Sequence, residues 1–344
     1  MTRRIQIVQF ISGHRITVAV VLCFFALCVQ SVLPPTHKAK PKPKTDEKIY
    51  LVHSDELKFD HFGVNPDAQI AKGHVHFSHQ GAQLWCDSAY FYQESNSVKA
   101  FGNVRFKQGD TLSLTARYAD YDGVEQRMAA RYNVVLTHRR QVLKTDSLNY
   151  DRLYNYAYFM EGGTLEDGKD KLVADWGKYN LDTRDAVFYY NVKMRSTDRL
   201  IVTDTLYYDT RKSMAHVVGP GSRITSKESV VKTTDAYYNT KTDRAMLYGR
   251  STLEDKQKSL VGDSLYYVKN GDSYGYGHVV YVDKENKNSL VCDELKYNEK
   301  TGAGYATKHA LLKDYSQGKD TLYAHADSIK IFTFNINTDS VYRK

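Results

Sequence analysis

The stretch Thr203-Asp204-Thr205-Leu206-Tyr207-Tyr208-Asp209 decides the fold, because close relatives of it recur along almost the whole chain. Most copies centre on an aspartate, and two degenerate copies centre on Ala116 and Thr234. The central, or anchor, residues lie 29 to 34 residues apart, at positions 55, 87, 116, 146, 175, 204, 234, 263, 293 and 327. A fixed period sustained over nine intervals predicts an elongated repeat array of about ten units of about 30 residues each.

Eight of the ten copies carry Phe or Tyr four positions after the anchor, and most carry an aliphatic residue two positions after it. Alternate side chains of a strand share one face, so these positions predict the inner wall of the array. The residue before the anchor is small in every copy, which predicts a tight corner, and the anchor aspartate is expected to bond to nearby backbone there. The candidate wall residues for binding a lipid are Leu148, Tyr150, Leu206, Tyr208, Leu265, Tyr267, Leu295 and Tyr297.

From residue 49 onward, short runs of alternating β-branched and aromatic residues are broken by Gly, Asn, Asp and Lys, with no helical periodicity. The fold class is therefore all-β. In residues 201–231 the pattern predicts three short strands, at 204–208, 214–218 and 222–225, with a turn at Gly219-Pro220-Gly221 between the last two. A second landmark, such as Gly102-Asn103-Val104, recurs 16 to 20 residues after the anchors.

The N-terminal region differs from the repeats. Residues 16–33 are an uncharged run of 18 preceded by three arginines, which predicts one hydrophobic helix that serves as a cleaved signal peptide or as a membrane anchor. Residues 34–48 alternate Pro and Lys and predict an extended linker. We therefore assign residues 1–33 to the leader, 34–48 to the linker and 49–344 to the repeat domain. Because the unit after Asp327 is short, we also expect the chain to be a fragment of a longer protein.

The net charge of +8 is concentrated at the N-terminus. Residues 1–48 hold eight Lys and Arg against two Asp and Glu, which leaves 40 against 38 in the remainder. A nearly balanced body lacks the basic footprint that binding to nucleic acid requires.

Few residues depart from the repeat in a way that suggests chemistry. His74, His76 and His79 are weak candidates for a metal site, although a single cluster in a repeat array is more often surface decoration. Cys86 and Cys292 share one repeat position and are expected to be buried small residues. We predict no metal, no cofactor and no enzymatic activity.

The cadence of Gly102-Asn103-Val104-Arg105-Phe106, followed by Gly109-Asp110-Thr111-Leu112 and Tyr118, resembles that of the OstA-like family. This family includes lipopolysaccharide-transport proteins of the LptA type and the N-terminal domain of the LptD type. The hydrophobic N-terminal stretch is similar to that of the LptC type.

The resemblance implies an open β-jelly-roll, or twisted two-sheet slab, whose apolar groove shields the acyl chains of lipopolysaccharide or a related glycolipid during outer-membrane assembly. It implies a location in the periplasm of a Gram-negative bacterium, with residues 16–33 at the inner membrane. The implied partners are other OstA-like or Lpt-type proteins, which would pair head to tail through edge strands.

Two other function classes stay open from the residues alone. One is a carbohydrate-active enzyme on a β-helix, which would need a polar cleft with convergent carboxylates. The other is a structural surface stalk, which would have a filled core. An open and continuous apolar groove distinguishes a lipid conduit from both.

Overall fold

The computed structural model describes residues 48–59, 62–63, 65–298, 300–318 and 320–332, and this part of the chain is all-β, as predicted. Its 22 strands are β1 Tyr50–His53, β2 Glu56–Phe59, β3 Gln69–His79, β4 Ala82–Tyr92, β5 Ser97–Gln108, β6 Leu112–Asp122, β7 Arg127–His138, β8 Gln141–Asp151, β9 Tyr156–Phe159, β10 Gly163–Asp167, β11 Asp170–Ala174, β12 Trp176–Asn180, β13 Asp185–Ser196, β14 Arg199–Asp209, β15 Met214–Thr225, β16 Ser229–Asn239, β17 Arg244–Asp255, β18 Lys258–Val268, β19 Asp272–Asp283, β20 Asn288–Asn298, β21 Ala303–Asp314 and β22 Leu322–Phe332.

All pairings are antiparallel and nearly all join consecutive strands, so the strands form one long meander. At three places two short strands take the place of one long strand. β1 and β2 both pair with β3, β9 and β10 with β8, and β11 and β12 with β13. Each repeat therefore contributes two long rows instead of the three short strands that the sequence predicted. The predicted turn at 219–221 is instead a bulge inside β15, where the pairing jumps from Val218 to Ser222.

The sheet folds over on itself along a line of such bulges, one in every second long strand. His79 ends β3 and Tyr121 ends β6, at opposite margins of the sheet, yet His79 Nδ1 lies 2.6 Å from the Tyr121 hydroxyl. A straight strand of 11 residues would hold its two ends about 35 Å apart. The two halves of each strand therefore face each other, as the predicted two-sheet slab requires.

The anchors mark the bends. The position before the anchor is buried at the inner corner in most repeats, where Thr203 Oγ1 lies 2.8 Å from Ser222 Oγ and Thr233 Oγ1 lies 2.9 Å from Ser251 Oγ. A larger side chain would displace one of these neighbours, which confirms the prediction of a tight corner.

One anchor requires a correction. Ala116 pairs with Val104 in the same way that Cys292, the residue before the anchor Asp293, pairs with Val279. Ala116 therefore occupies the small position before the anchor. Arg117 is the true anchor of this repeat, and its aromatic residue four positions later is Tyr121.

Six of the eight anchor aspartates bond across to the neighbouring strand, not to their own local backbone. Each of these six meets the residue of the facing bulge that adopts a positive φ, which is Asn or His. The closest contacts, all between 2.6 and 2.9 Å, are Asp55–His74, Asp87–Asn103, Asp146 to the backbone N–H of Asn133, Asp175–Asn191, Asp263–His278 and Asp293–His309. Asn and His tolerate the left-handed region better than most residues. These two residue types therefore suit the backbone of the bulge and also provide the group that bonds to the aspartate.

The predicted leader, 1–33, and almost all of the predicted linker, 34–48, lie outside the described residues. Within the part of the chain that the structure describes, no helix has the length and apolarity needed to cross a membrane.

Candidate lipid-binding interior

The eight predicted wall residues all lie along the interior of the folded-over sheet, and their burial divides them into two groups. Leu148, Tyr150, Leu206 and Tyr208 are buried, with Tyr208 only 1% exposed. Leu265 and Leu295 are also buried, whereas Tyr267 and Tyr297 are half-buried. The intervening Tyr207 points outward and is 44% exposed, so the alternation predicted from the sequence is confirmed.

The closed segment, defined as β3 to β16, has a filled interior. One hydrophobic cluster runs through it without a break from Ile49 as far as Leu265. Aromatic rings interlock across it, as for Phe159 and Phe188, whose centroids lie 6.4 Å apart. In this arrangement the closed segment leaves no open surface at Leu206 or Tyr208 on which an acyl chain could lie.

Polar side chains border the closed segment where the two margins of the sheet meet. Margin A consists of the turns at 80–81, 109–111, 139–140, 168–169 and 197–198, and margin B of the turns at 123–126, 152–155, 181–184, 210–213 and 240–243. We call the contacts between them the polar seam. They include Tyr150–Gln108 at 3.0 Å, His138–Tyr179 at 3.0 Å, Tyr208–Asp170 at 2.7 Å, Thr240–Asp170 at 2.7 Å and Arg199–Asp243 at 2.6 Å.

Arg152 is the most buried cation of the polar seam. Its guanidinium donates to Gln108 Oε1, to the Tyr121 hydroxyl and to the carbonyl of Gln80, which joins margin B to margin A. A buried cation is tolerated only when its donors are satisfied, so these contacts also fix the separation of the two margins.

The environment of the polar seam shifts the pKa values of its groups. Burial raises the pKa of the Tyr179 hydroxyl to about 12 and lowers the pKa of the His138 imidazole, which Arg139 and Arg184 lower further. Burial alone would raise the pKa of Asp243, but the hydrogen bond and charge of Arg199 outweigh it and hold that pKa below its ordinary value of 3.8. Near pH 7 the seam is therefore neutral at His138 and ionic at the Arg199–Asp243 pair.

The open segment, defined as β18 to β22, has a smaller and more accessible interior. Its core is a separate cluster that runs from Val279 to Ala310. Around this cluster, Leu260, Tyr281, Leu312, Ile329 and Ile331 are only partly buried. Apolar side chains that face inward and remain accessible are the surface that a lipid tail requires.

The three candidate metal ligands do not converge. His74 lies at a bend beside Asp55, His76 stacks on Trp85 at 4.8 Å between ring centroids, and His79 is buried in the polar seam. Among the residues that the structure describes, no group of three or more His, Cys, Asp or Glu side chains is placed to hold a metal ion. Cys86 and Cys292 are both buried, as expected, and burial raises the pKa values of both thiols.

Comparison with known proteins supports the resemblance drawn from the sequence. Residues 46–204 match the family model described as OstA-like protein. The match begins just before β1 and ends within β14, so the matched region contains most of the closed segment.

The chain is also similar to a solved structure, that of LptH from Pseudomonas aeruginosa, described as the LptA homologous periplasmic component of the conserved lipopolysaccharide transport device. The two are 13% identical, and the match covers 31% of this chain and 78% of that chain with a TM-score of 0.28. A search of the curated proteins found no match.

The polar seam was not predicted from the sequence. Its margin A residues nevertheless recur with the period of the repeat, at His79, Gln108, His138 and Asp167. This second polar series, about eight residues before each anchor, is the signal that could have located it.

Proposed function

We propose that this chain is a periplasmic protein of lipopolysaccharide transport that shields the acyl chains of lipopolysaccharide, or of a related glycolipid, inside its folded-over sheet. One observation carries the proposal: an OstA-like array has an apolar interior that extends through every repeat and becomes accessible in the open segment.

The energetics of this interior suit a conduit better than a pump. Removing a methylene group from water contributes about 0.8 kcal/mol. A lipid that arrives from a bilayer is already in an apolar phase, so its transfer into the sheet is close to neutral. Direction must therefore come from a partner. Exposed edge strands are templates for strand addition, so we place the partner contacts, to other OstA-like or Lpt-type proteins, at the ends of the array.

The proposal assigns the two segments different tasks. Lipid would contact the open segment beside Leu295, where the inward-facing side chains of Tyr297 and Ile331 are only half-buried. Contact with Leu148, Tyr150, Leu206 and Tyr208 would require the polar seam to separate. Residues 16–33 would place the N-terminus of the array at the inner membrane.

An enzymatic function is not proposed, because the buried carboxylates have structural partners. Asp167 lies 2.6 Å from Arg140, and both Asp167 and Asp170 lie within hydrogen-bond distance of the Tyr208 hydroxyl. These carboxylates border the polar seam, and they do not face a cleft that could hold a substrate.

Site-specific photocrosslinking in living cells tests the lipid proposal. A photoreactive residue at Leu295 is expected to trap lipopolysaccharide, one at Leu265 to trap less, and one at the outward-facing Val173 to trap none. Equal trapping at Leu295 and Val173, or none at either, would contradict the proposal. In that case the filled core of the closed segment would favour the structural stalk instead.

A further inference from the structure

The outer face of the sheet carries a row of aromatic side chains that the lipid proposal does not use. Six residues are consecutive cross-strand neighbours from β14 to β19, and we call them the outer row: Tyr207, His216, Tyr237, Met246, Tyr266 and Tyr274. Neighbouring strands lie about 4.8 Å apart, so the row extends for about 24 Å across the sheet.

Several rings of the outer row are stacked on their neighbours. His216 stacks between Tyr237, at 4.0 Å and 7° between ring planes, and Tyr207, at 5.7 Å and 27°. Tyr274 is stacked with Tyr276, which is 46% exposed, with 5° between their planes. Cross-strand aromatic pairs can stabilise a sheet without any further role. Such a structural role does not explain why the outer row also borders a concavity.

A surface concavity of about 560 Å³ lies over one end of the outer row. Tyr207, His216 and Tyr237 line it together with Lys178, Asp209 and Lys212. Ligand sites typically combine aromatic walls with a few polar groups in this way, and this volume lies within their usual range.

The charged groups around the concavity have partners in the protein, although the partner of Lys178 is an aromatic ring and not an acid. Lys212 Nζ lies 3.4 Å from Asp209, Lys178 Nζ lies 3.9 Å from the centre of the Tyr156 ring, and His216 Nε2 lies 2.8 Å from Asp235. A phosphate or a polyanion would need cations without partners, so this site favours a neutral ligand that carries many hydroxyl groups.

We infer that the outer row is a binding platform for an extended glycan chain. A pyranose ring presents a face of C–H groups whose weak positive charge matches the negative face of an aromatic ring, while its hydroxyls bond to the polar rim. The width of one sugar ring is similar to the spacing between strands, so successive sugars can rest on successive strands. The inference does not depend on lipid binding in the interior.

Isothermal titration of the full-length protein in mild detergent tests this inference with two probes that carry no lipid. One probe is chitohexaose, and the other is the polysaccharide released from lipopolysaccharide by mild acid. The wild type is expected to bind at least one, and Tyr207→Ala with Tyr237→Ala is expected to weaken binding about tenfold. Tyr207→Phe with Tyr237→Phe keeps both ring faces and is expected to bind nearly as well as the wild type.

Tyr154→Ala is the matched control, since Tyr154 is 41% exposed in a turn of margin B, away from the outer row. Binding of the polysaccharide alone assigns the platform to the saccharide of a glycolipid, and binding of chitohexaose assigns it to an amino-sugar chain. The inference is wrong if neither probe binds, if the double alanine variant binds as well as the wild type, or if vesicles of phosphatidylglycerol bind in place of the sugars.

Discussion

The closed and open segments repeat the same sequence motif but build different interiors. Phe159, Phe188, Val217 and Leu247 occupy one inward-facing position of successive repeats, facing the residue two positions after an anchor. In the next repeat this position is Gly275, which lies opposite both Leu265 and Leu295. The same position is Ala71, Ala100 and Ala130 in the first repeats of the closed segment, where buried residues elsewhere, such as Phe77 and Phe106, fill the interior. The motif therefore sets which way each side chain points, whereas the summed volume of all the inward-facing side chains sets whether the interior is filled.

The margins reinforce this difference in volume. Arg152 and the Arg199–Asp243 pair hold margins A and B together along the closed segment. In the open segment Tyr267 and Tyr297 are half-buried, whereas their counterparts Tyr150 and Tyr208 are buried. A closed region that gives rigidity thus adjoins a region that has accessible apolar surface, and the two can be tested separately.

The largest expected effect is in the core of the closed segment. Leu206→Ala removes a fully buried side chain and is expected to lower the free energy of unfolding by about 3 kcal/mol, against about 1.5 kcal/mol for Leu295→Ala at the same repeat position. The difference arises because the looser surroundings of Leu295 can relax into the space. Thermal unfolding, with hydrogen exchange to localise the change, measures both variants. Equal losses would remove the distinction between the segments.

A smaller effect is expected at the polar seam. The side chains of Arg199 and Asp243 are 14% and 16% exposed, so Arg199→Met leaves a carboxylate without its main partner at a cost of about 2 kcal/mol. The control is Arg250→Met, which breaks the pair with Asp263, where both side chains are about half exposed. This control is expected to change stability little.

The Arg199–Asp243 pair also predicts a dependence on pH. The pKa of Asp243 is lowered in the folded protein, so the pair contributes its full stability above pH 3.8 and loses it as the pH falls toward the lowered pKa. Unfolding temperatures measured from pH 6 to pH 2 should therefore decrease less steeply in Arg199→Met than in the wild type. Parallel curves would show that the pair does not hold the margins together.

The sequence was sufficient to predict the all-β class, the period and the inward face, because these depend on local alternation and on spacing. Leu206 and Tyr208 were placed correctly for that reason. The number of strands per repeat was wrong, because Gly219-Pro220-Gly221 has the composition of a turn, and only its pairing with β16 shows that it is a bulge. A local pattern does not distinguish a turn from a bulge when both need residues with unusual φ values.

The candidate site was less predictable than the fold. Every repeat was expected to form the same groove wall, yet Tyr208 is buried and Tyr297 is half-buried. The difference depends on Gly275 and on contacts between positions about 40 to 70 residues apart, such as Tyr208 with Asp167 and Arg152 with Gln80. Such contacts are set by how the sheet folds over, which no single repeat encodes.

The smallest expected effect compares the bends of the two segments. Gly102 and Gly277 have φ values of +72° and +69°, and a Cβ atom at either would collide with the anchor aspartate of the neighbouring strand, Asp87 or Asp263. Replacement by alanine therefore adds a steric clash to the backbone strain of about 1 kcal/mol that a positive φ imposes. Gly81→Ala, at φ +77° with no atom within 4 Å of the added Cβ, reports the backbone strain alone.

We expect the loss of stability to decrease in the order Gly102→Ala, Gly277→Ala and Gly81→Ala, as measured by thermal unfolding and by hydrogen exchange at the affected strands. Gly102 lies between strands fixed by a filled core, so its neighbours cannot move away from the new methyl group. Gly277 lies where Gly275 leaves the interior loose, and the strand can shift there to relieve the clash. If Gly102→Ala and Gly277→Ala cost the same, the bends are rigid independently of the core. If Gly81→Ala matches them both, the contact with the anchor aspartate does not constrain the bend, and the backbone conformation alone explains the recurrence of glycine at these positions.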